Sequence, residues 1–247
     1  MPDTMTGRRT GRTLPLILMR DVWAWARLAG RASGLICAVS LLAASASGAQ
    51  RKPSATTPAG PSFEELYSRG QKANAGITTL TARFVETTTP SLLTRPIVER
   101  GVLYVQRPAR KVAIRYSDPI DRVVLIDGDR MVTSWPSRKI LDTRDIGATQ
   151  KRIQKYFEES DAAELRKVFH IELRDRSERP GMRELAMVPK RKQIRENLAK
   201  LELWVEESSG LLHAMRMTFS NGDRKLMEFT DVVPNAQIPS EAFRVPG

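Results

Sequence analysis

From residue 79 onward, apolar side chains recur at every second position. Leu80, Ala82 and Phe84 alternate with Thr81, Arg83 and Val85, which puts one set on a single face of an extended strand. A second run, Gly101-Val-Leu-Tyr-Val-Gln, ends in Arg107-Pro108 and is followed by Val112, Ile114 and Tyr116. Proline cannot donate to a ladder, so Pro108 marks a strand end. Residues 122–126 and 130–135 flank Asp127-Gly128, a strong hairpin signal, and Trp135-Pro136 closes the second of them. Strand patterns resume at 169–173, 184–188, 198–205, 211–219 and 225–231, with turns at Ser209-Gly210 and Asn221-Gly222.

Two segments break the two-residue period. Ser62 stands three residues before Glu65, a capping-box spacing, and Phe63, Leu66 and Tyr67 recur at helical intervals, so a short helix is predicted to end near Gly76. Between 147 and 169, Ile153, Tyr156, Phe157, Leu165, Val168 and Phe169 fit a helical stripe, and Asp161 with Glu164 repeats the capping spacing. Two short helices are predicted there. The polar, proline-bounded stretch 87–96 reads as a loop. A strand-rich meander interrupted by one helical insertion is an α+β arrangement.

Alternation also assigns the side chains to faces. Met215, Met217 and Phe219 share one face, Met227 and Phe229 share the facing positions of the next strand, and Leu201, Leu203 and Val205 precede them. In a curled sheet these residues, with Leu80, Phe84, Val112 and Ile114, line the concave side. Methionine is flexible and polarizable, so such a wall suits ligands of varied shape. The same positions equally fit an ordinary core packed under a helix.

The first 49 residues have a different composition. Arg20, Arg27 and Arg31 precede an apolar run over 34–46, and Ser47-Gly48-Ala49 supplies the small residues of a cleavage site. Residues 1–49 are therefore expected to be a signal peptide cut near Ala49, with Met19 an alternative start. The run is shorter than the roughly 20 residues that span a bilayer. Cys37, the only cysteine, lies inside it behind the bulky Ile36, which argues against lipidation and leaves the exported part without a disulfide. Residues 50–61, rich in Pro, Ser, Thr and Ala, read as a flexible linker, and 62–247 as one domain. From Gln50 onward, 34 basic residues face 26 acidic ones, a net charge of +8. That sign favours anionic membrane surfaces or acidic partners, although excess Lys and Arg also serve solubility alone.

The chain offers little for catalysis. His170 and His213 are its only histidines, and neither has a Cys or carboxylate at ligand spacing. No phosphate-binding glycine loop and no nucleophile elbow is present. An enzyme is not expected, and neither is a metal or other cofactor, nor a nucleic-acid partner for an exported protein. The basic run Lys190-Arg-Lys192 reads as a solvated loop or a contact for lipid headgroups or a partner.

The ordered set Phe84-Val-Glu-Thr, Gly101-x-Leu-Tyr-Val-x-Arg-Pro108, Tyr116-x-x-Pro119, Asp127-Gly128, Trp135-Pro136, Phe229-x-Asp-Val232, Asn235, Ile238-Pro239 and Phe243 resembles the periplasmic outer-membrane lipoprotein carrier family, the LolA type. The resemblance covers about residues 62–246. It implies an unclosed antiparallel β-barrel, a half-barrel with a helical lid, that shields the acyl chains of a lipoprotein or related lipid between inner and outer membrane. It also implies that Arg107 latches the lid over the empty cavity. The helices of 62–76 and 147–169 would form that lid, with Ile153, Phe157, Leu165 and Phe169 facing the cavity. Further expectations are a monomer located in the periplasm, an inner-membrane ABC-type release complex and an outer-membrane acceptor. The family often carries an aromatic residue shortly after Arg-Pro, where this chain has Lys111 or Val112. Relatives of the same fold include lipid-sensing or envelope-stress regulators, so a regulatory binding protein is the alternative.

Overall fold

The computed structural model describes residues 62–148, 161–174 and 178–245. The expected leader and linker, and the lid positions Ile153 and Phe157, lie outside these residues. Helix α1 (Phe63–Asn74) comes first. Six strands follow: β1 (Thr79–Thr89), β2 (Ile97–Gln106), β3 (Lys111–Asp118), β4 (Arg122–Asp127), β5 (Arg130–Trp135) and β6 (Ile140–Asp145). Helix α2 (Ala162–Val168) leads into β7 (Phe169–Arg174) and β8 (Met182–Pro189). A single turn, α3 (Lys192–Arg195), precedes β9 (Leu198–Glu206), β10 (Leu212–Phe219) and β11 (Arg224–Pro234).

The strands form one antiparallel sheet of eleven in the order β6-β5-β4-β3-β2-β1-β11-β10-β9-β8-β7. Every paired set of strands is adjacent in sequence except at the centre, where β1 pairs with β11. The sheet is unclosed, because β6 and β7 end it without meeting. Turn chemistry sets the hairpins: Gly128, Gly210 and Gly222 all have positive φ, which a glycine adopts without steric cost.

The two faces differ. Inward residues of β1–β5 and β7–β11 join Phe63, Leu66 and Tyr67 of α1 and Leu165 and Val168 of α2 in one hydrophobic cluster. The outer face is closed by charge: Trp204 is buried between the guanidinium groups of Arg216 and Arg179, 4.9 and 5.3 Å from its ring. These arginines pair with Glu202 and Glu228.

Gly101 has a packing role. Phe84, Gly101 and Tyr116 lie side by side on β1, β2 and β3. Without a side chain between them, the two rings meet edge to face at 5.1 Å and 83°. A Cβ at Gly101 would come within 2.1 Å of the Arg115 carbonyl oxygen, so any side chain there would force the β3 backbone to shift.

Three sequence expectations change. β6 is a strand that periodicity did not reveal, because it is an edge strand with both faces largely exposed and no apolar alternation. β1 runs to Thr89, which shortens the expected loop of 87–96 to 90–96. Within Lys190-Arg-Lys192, Lys192 begins α3, so the run enters a one-turn helix.

Candidate functional site

Arg107 follows β2 and reaches the C-terminal end of α1. Its Nη1 donates to the carbonyls of Asn74 and Ile77 at 3.1 and 2.7 Å. Its backbone N–H donates to Thr78 O at 2.9 Å. A helix C-terminus leaves carbonyls unpaired and carries partial negative charge, so a guanidinium there satisfies both needs. The turn between β9 and β10 holds the helix end from the other side. Asn74 Nδ2 donates to Gly70 O at 2.8 Å and to Gly210 O at 3.5 Å. A Cβ on Gly210 would lie 2.9 Å from Gly70 Cα, so two glycines permit this contact.

The start of α1 is tied down as well. Ser62 and Glu65 complete the capping box. Arg166 of α2 bonds Glu64 at 2.6 Å and stands 5.1 Å over the Phe63 ring. The Arg166 hydrogen bond, more than any other influence, holds the Glu64 carboxyl below its ordinary value. Asp161 caps α2 by accepting from Glu164 N at 2.8 Å.

Beneath the helices lies the wall. Leu80, Phe84, Val112, Ile114, Leu201, Leu203, Met215, Met217, Phe219, Met227 and Phe229 all belong to the single cluster, together with Leu165 and Phe169. Phe169 sits at the first position of β7, just past α2. Register explains the contiguity. Met215 pairs with Met227 on one side and Leu203 on the other, Met217 pairs with Leu201, and Phe84 pairs with Phe229. None of these side chains is more than 8% exposed. The wall is covered, so a ligand reaches it only by displacing what covers it. Val112 pairs with Val105 and Ile126 and is part of the wall.

Sequence reasoning missed a polar corner on the same face. Glu86 follows Leu80, Ala82 and Phe84 at two-residue spacing and is 1% exposed. Its carboxylate accepts from Lys225 Nζ, from Tyr116 Oη at 3.0 Å and from Thr88 Oγ1 at 3.4 Å. Arg122 lies 3.9 Å over the Tyr116 ring and bonds Glu99 at 3.1 Å. Burial first, then the Glu86 charge, hold the Tyr116 phenol well above its ordinary value. The signal was present in the alternation: Glu86 and Lys225 occupy inward positions beside Phe84 and Met227.

No group of three or more His, Cys, Asp or Glu side chains among the described residues could hold a metal ion. His213 stands 3.9 Å from Glu206, and His170 is exposed on β7. A depression of about 550 Å³ lined by Glu64, Glu65, Ser68 and Arg69 lies on α1. Its lining shares no residue with the apolar wall. No helix among the described residues is long and apolar enough to cross a membrane.

A sequence model of the family described as outer membrane lipoprotein carrier protein LolA matches residues 75–246. The chain belongs to the LolA family. No curated protein matches the sequence. Solved structures of similar fold include an uncharacterized conserved protein from Thermus thermophilus, at 10% identity and TM-score 0.48, covering 74% of this chain and 93% of that one. A LolA-superfamily protein from Nitrosomonas europaea covers 73% and 96% at 9% identity and TM-score 0.36. The lipoprotein LppX of Mycobacterium tuberculosis covers 70% and 95% at 9% identity and TM-score 0.43.

Proposed function

We propose that this LolA-family chain is a periplasmic carrier that shields the acyl chains of lipoproteins on the way from inner to outer membrane. The observation that carries the reading is the continuous apolar wall under α1, with Arg107 bound to the end of that helix. The wall is the acyl-chain site, α1 and α2 are its lid, and Arg107 is the latch. The chain takes no cofactor and catalyses no reaction. An inner-membrane release complex and an outer-membrane acceptor would be its partners.

Magnitudes support an exchangeable cargo. Each CH₂ taken from water contributes about 0.8 kcal/mol, so a fourteen-carbon chain offers on the order of 10 kcal/mol. Opening the lid exposes Phe63, Leu66 and Tyr67, at roughly 1.5–3 kcal/mol each. The lid term offsets roughly 40–80% of the gross gain, which keeps handover to a tighter acceptor downhill.

Reconstituted transfer tests this reading. The protein should take up an acylated lipoprotein from a donor membrane and yield it to an acceptor. Arg107→Leu favours the open form, so it should load cargo and release it more slowly. Release at the normal rate would remove Arg107 from the mechanism. A stable protein partner with no bound lipid would replace the carrier reading by a regulatory one.

A further inference from the structure

The two rims of the sheet carry different chemistry. Antiparallel order places the β1–β2, β3–β4, β5–β6, β8–β9 and β10–β11 connections on one rim and the β2–β3, β4–β5, β7–β8 and β9–β10 connections on the other. Eight large apolar side chains are exposed among the described residues, and seven belong to the first rim: Leu92, Leu93, Ile97, Ile120, Ile140, Leu141 and Val188. Only Val233 belongs to the second. Charge divides in the same way. The first-rim connections hold Arg95, Arg138, Lys139, Lys190, Arg191, Lys192 and Arg195 against Asp121, Glu196 and Asp223. The described second-rim connections hold Arg107, Arg110 and Arg179 against Asp129, Glu178 and Glu207, a balanced set.

The apolar tip is braced. Ser91 N–H donates to Asp223 Oδ1 at 2.7 Å and its hydroxyl to the same oxygen at 3.1 Å, which ties the β1–β2 tip to the β10–β11 turn. Asn221 Nδ2 donates to the other carboxylate oxygen at 2.8 Å. On that support Leu92 is 88% exposed. Isolated exposed leucines need no explanation, but apolar side chains gathered at one rim together with excess positive charge mark an interaction surface.

We infer that this rim docks on an anionic bilayer surface, with Leu92 and Leu93 entering the headgroup region and the basic side chains pairing with acidic lipids. Basic residues beside short apolar anchors are the composition that binds such an interface without spanning it. The inference does not depend on the acyl-chain wall holding lipid. It gives the carrier a fixed approach to its membranes if that reading holds.

The test places a reporter at each rim of the full chain, and the second-rim probe controls for vesicle binding by residues 1–61. In a Cys37→Ser background, Leu92→Cys or Val233→Cys is labelled with an environment-sensitive fluorophore and titrated with phosphatidylglycerol–phosphatidylethanolamine vesicles. The probe at residue 92 should brighten severalfold and be quenched by lipids carrying a headgroup-depth quencher, while the probe at residue 233 stays unchanged. Phosphatidylcholine vesicles should give little response. Arg95→Gln and Arg138→Gln, both exposed, should each raise the lipid concentration at half response about fivefold. An unresponsive probe at residue 92, or equal responses at both residues, overturns the inference and leaves the rim to a protein partner. Indifference to lipid charge and to both substitutions overturns the electrostatic part.

Discussion

The inner face of this sheet holds two regions two residues apart. Phe84 belongs to an apolar wall of leucine, methionine and phenylalanine, and Glu86, on the same side of the same strand, belongs to a network of charges. Both are buried, and both were placed by the same alternation. They differ in what burial requires. A wall residue needs only volume, which many side chains supply and a hydrocarbon chain could replace. A buried carboxylate needs specific partners, and Lys225, Tyr116 and Thr88 provide them from three strands. The corner holds β1, β3 and β11 in register, and under the carrier reading proposed above it would stay fixed while the adjoining wall yields to cargo.

The largest test removes one partner at the corner. Lys225→Met leaves Glu86 buried beside an apolar chain, and breaking a buried pair in this way costs about 3–5 kcal/mol. Urea unfolding should show that loss. The double variant Glu86→Leu with Lys225→Met should recover most of it, because well-packed apolar replacements of a buried pair are often neutral. A single variant within about 1 kcal/mol of the parent would mean that the corner does not hold the register.

The wall should respond by volume alone. Leu203→Ala, at a position 2% exposed between Leu185 and Met215, should cost about 2–5 kcal/mol through the cavity it leaves. Met215→Leu keeps the volume and should cost under about 1.5 kcal/mol. If the two cost the same, the wall is not a packed surface of the kind described. At the edge of the wall, Arg107→Leu removes charge-assisted bonds worth about 1.5–3 kcal/mol. Amide exchange in the last turn of α1 should speed up by roughly one to two orders of magnitude while the β1–β11 ladder stays protected.

Much of this arrangement was legible in the chain. Alternation placed nearly every strand, and Asp127-Gly128, Ser209-Gly210 and Asn221-Gly222 each mark a turn with a positive-φ glycine. The wall residues fell on one face as expected, because burial on one side writes a period of two into the sequence. β6 did not, since an exposed edge strand buries nothing that could leave a pattern. The corner was legible but overlooked. A lone Glu at an inward position has no catalytic spacing to mark it, and its partner Lys225 lies far along the chain. Arg107 could be singled out only through its family motif, because the carbonyls it reaches, those of Asn74 and Ile77, lie at the end of α1 and just beyond it, far back in the chain.

The smallest effect compares the regions through their tyrosines. Tyr116 sits in the corner, and Tyr67 on the buried side of α1, over the wall. Burial comes first in raising both phenols above the ordinary 10.0, followed by Glu86 for Tyr116 and Asp161 for Tyr67. A raised folded-state value means that the native protein keeps a proton which the unfolded chain gives up above about pH 10. The stabilising difference is therefore intact below that pH and is lost as pH rises further, by up to about 1.4 kcal/mol per unit for each tyrosine. Tyr116→Phe and Tyr67→Phe should each flatten the fall of stability between pH 10 and 11. They should differ at neutral pH, where Tyr116→Phe takes a donor from Glu86 and costs about 1–3 kcal/mol. Tyr67→Phe, whose hydroxyl bonds Gln71 one turn along the same helix, should cost less. Chemical denaturation of both variants at pH 7 and 10.5 separates the two terms. Equal losses at pH 7 would show that Glu86 does not depend on the phenol, leaving Lys225 to hold the corner together.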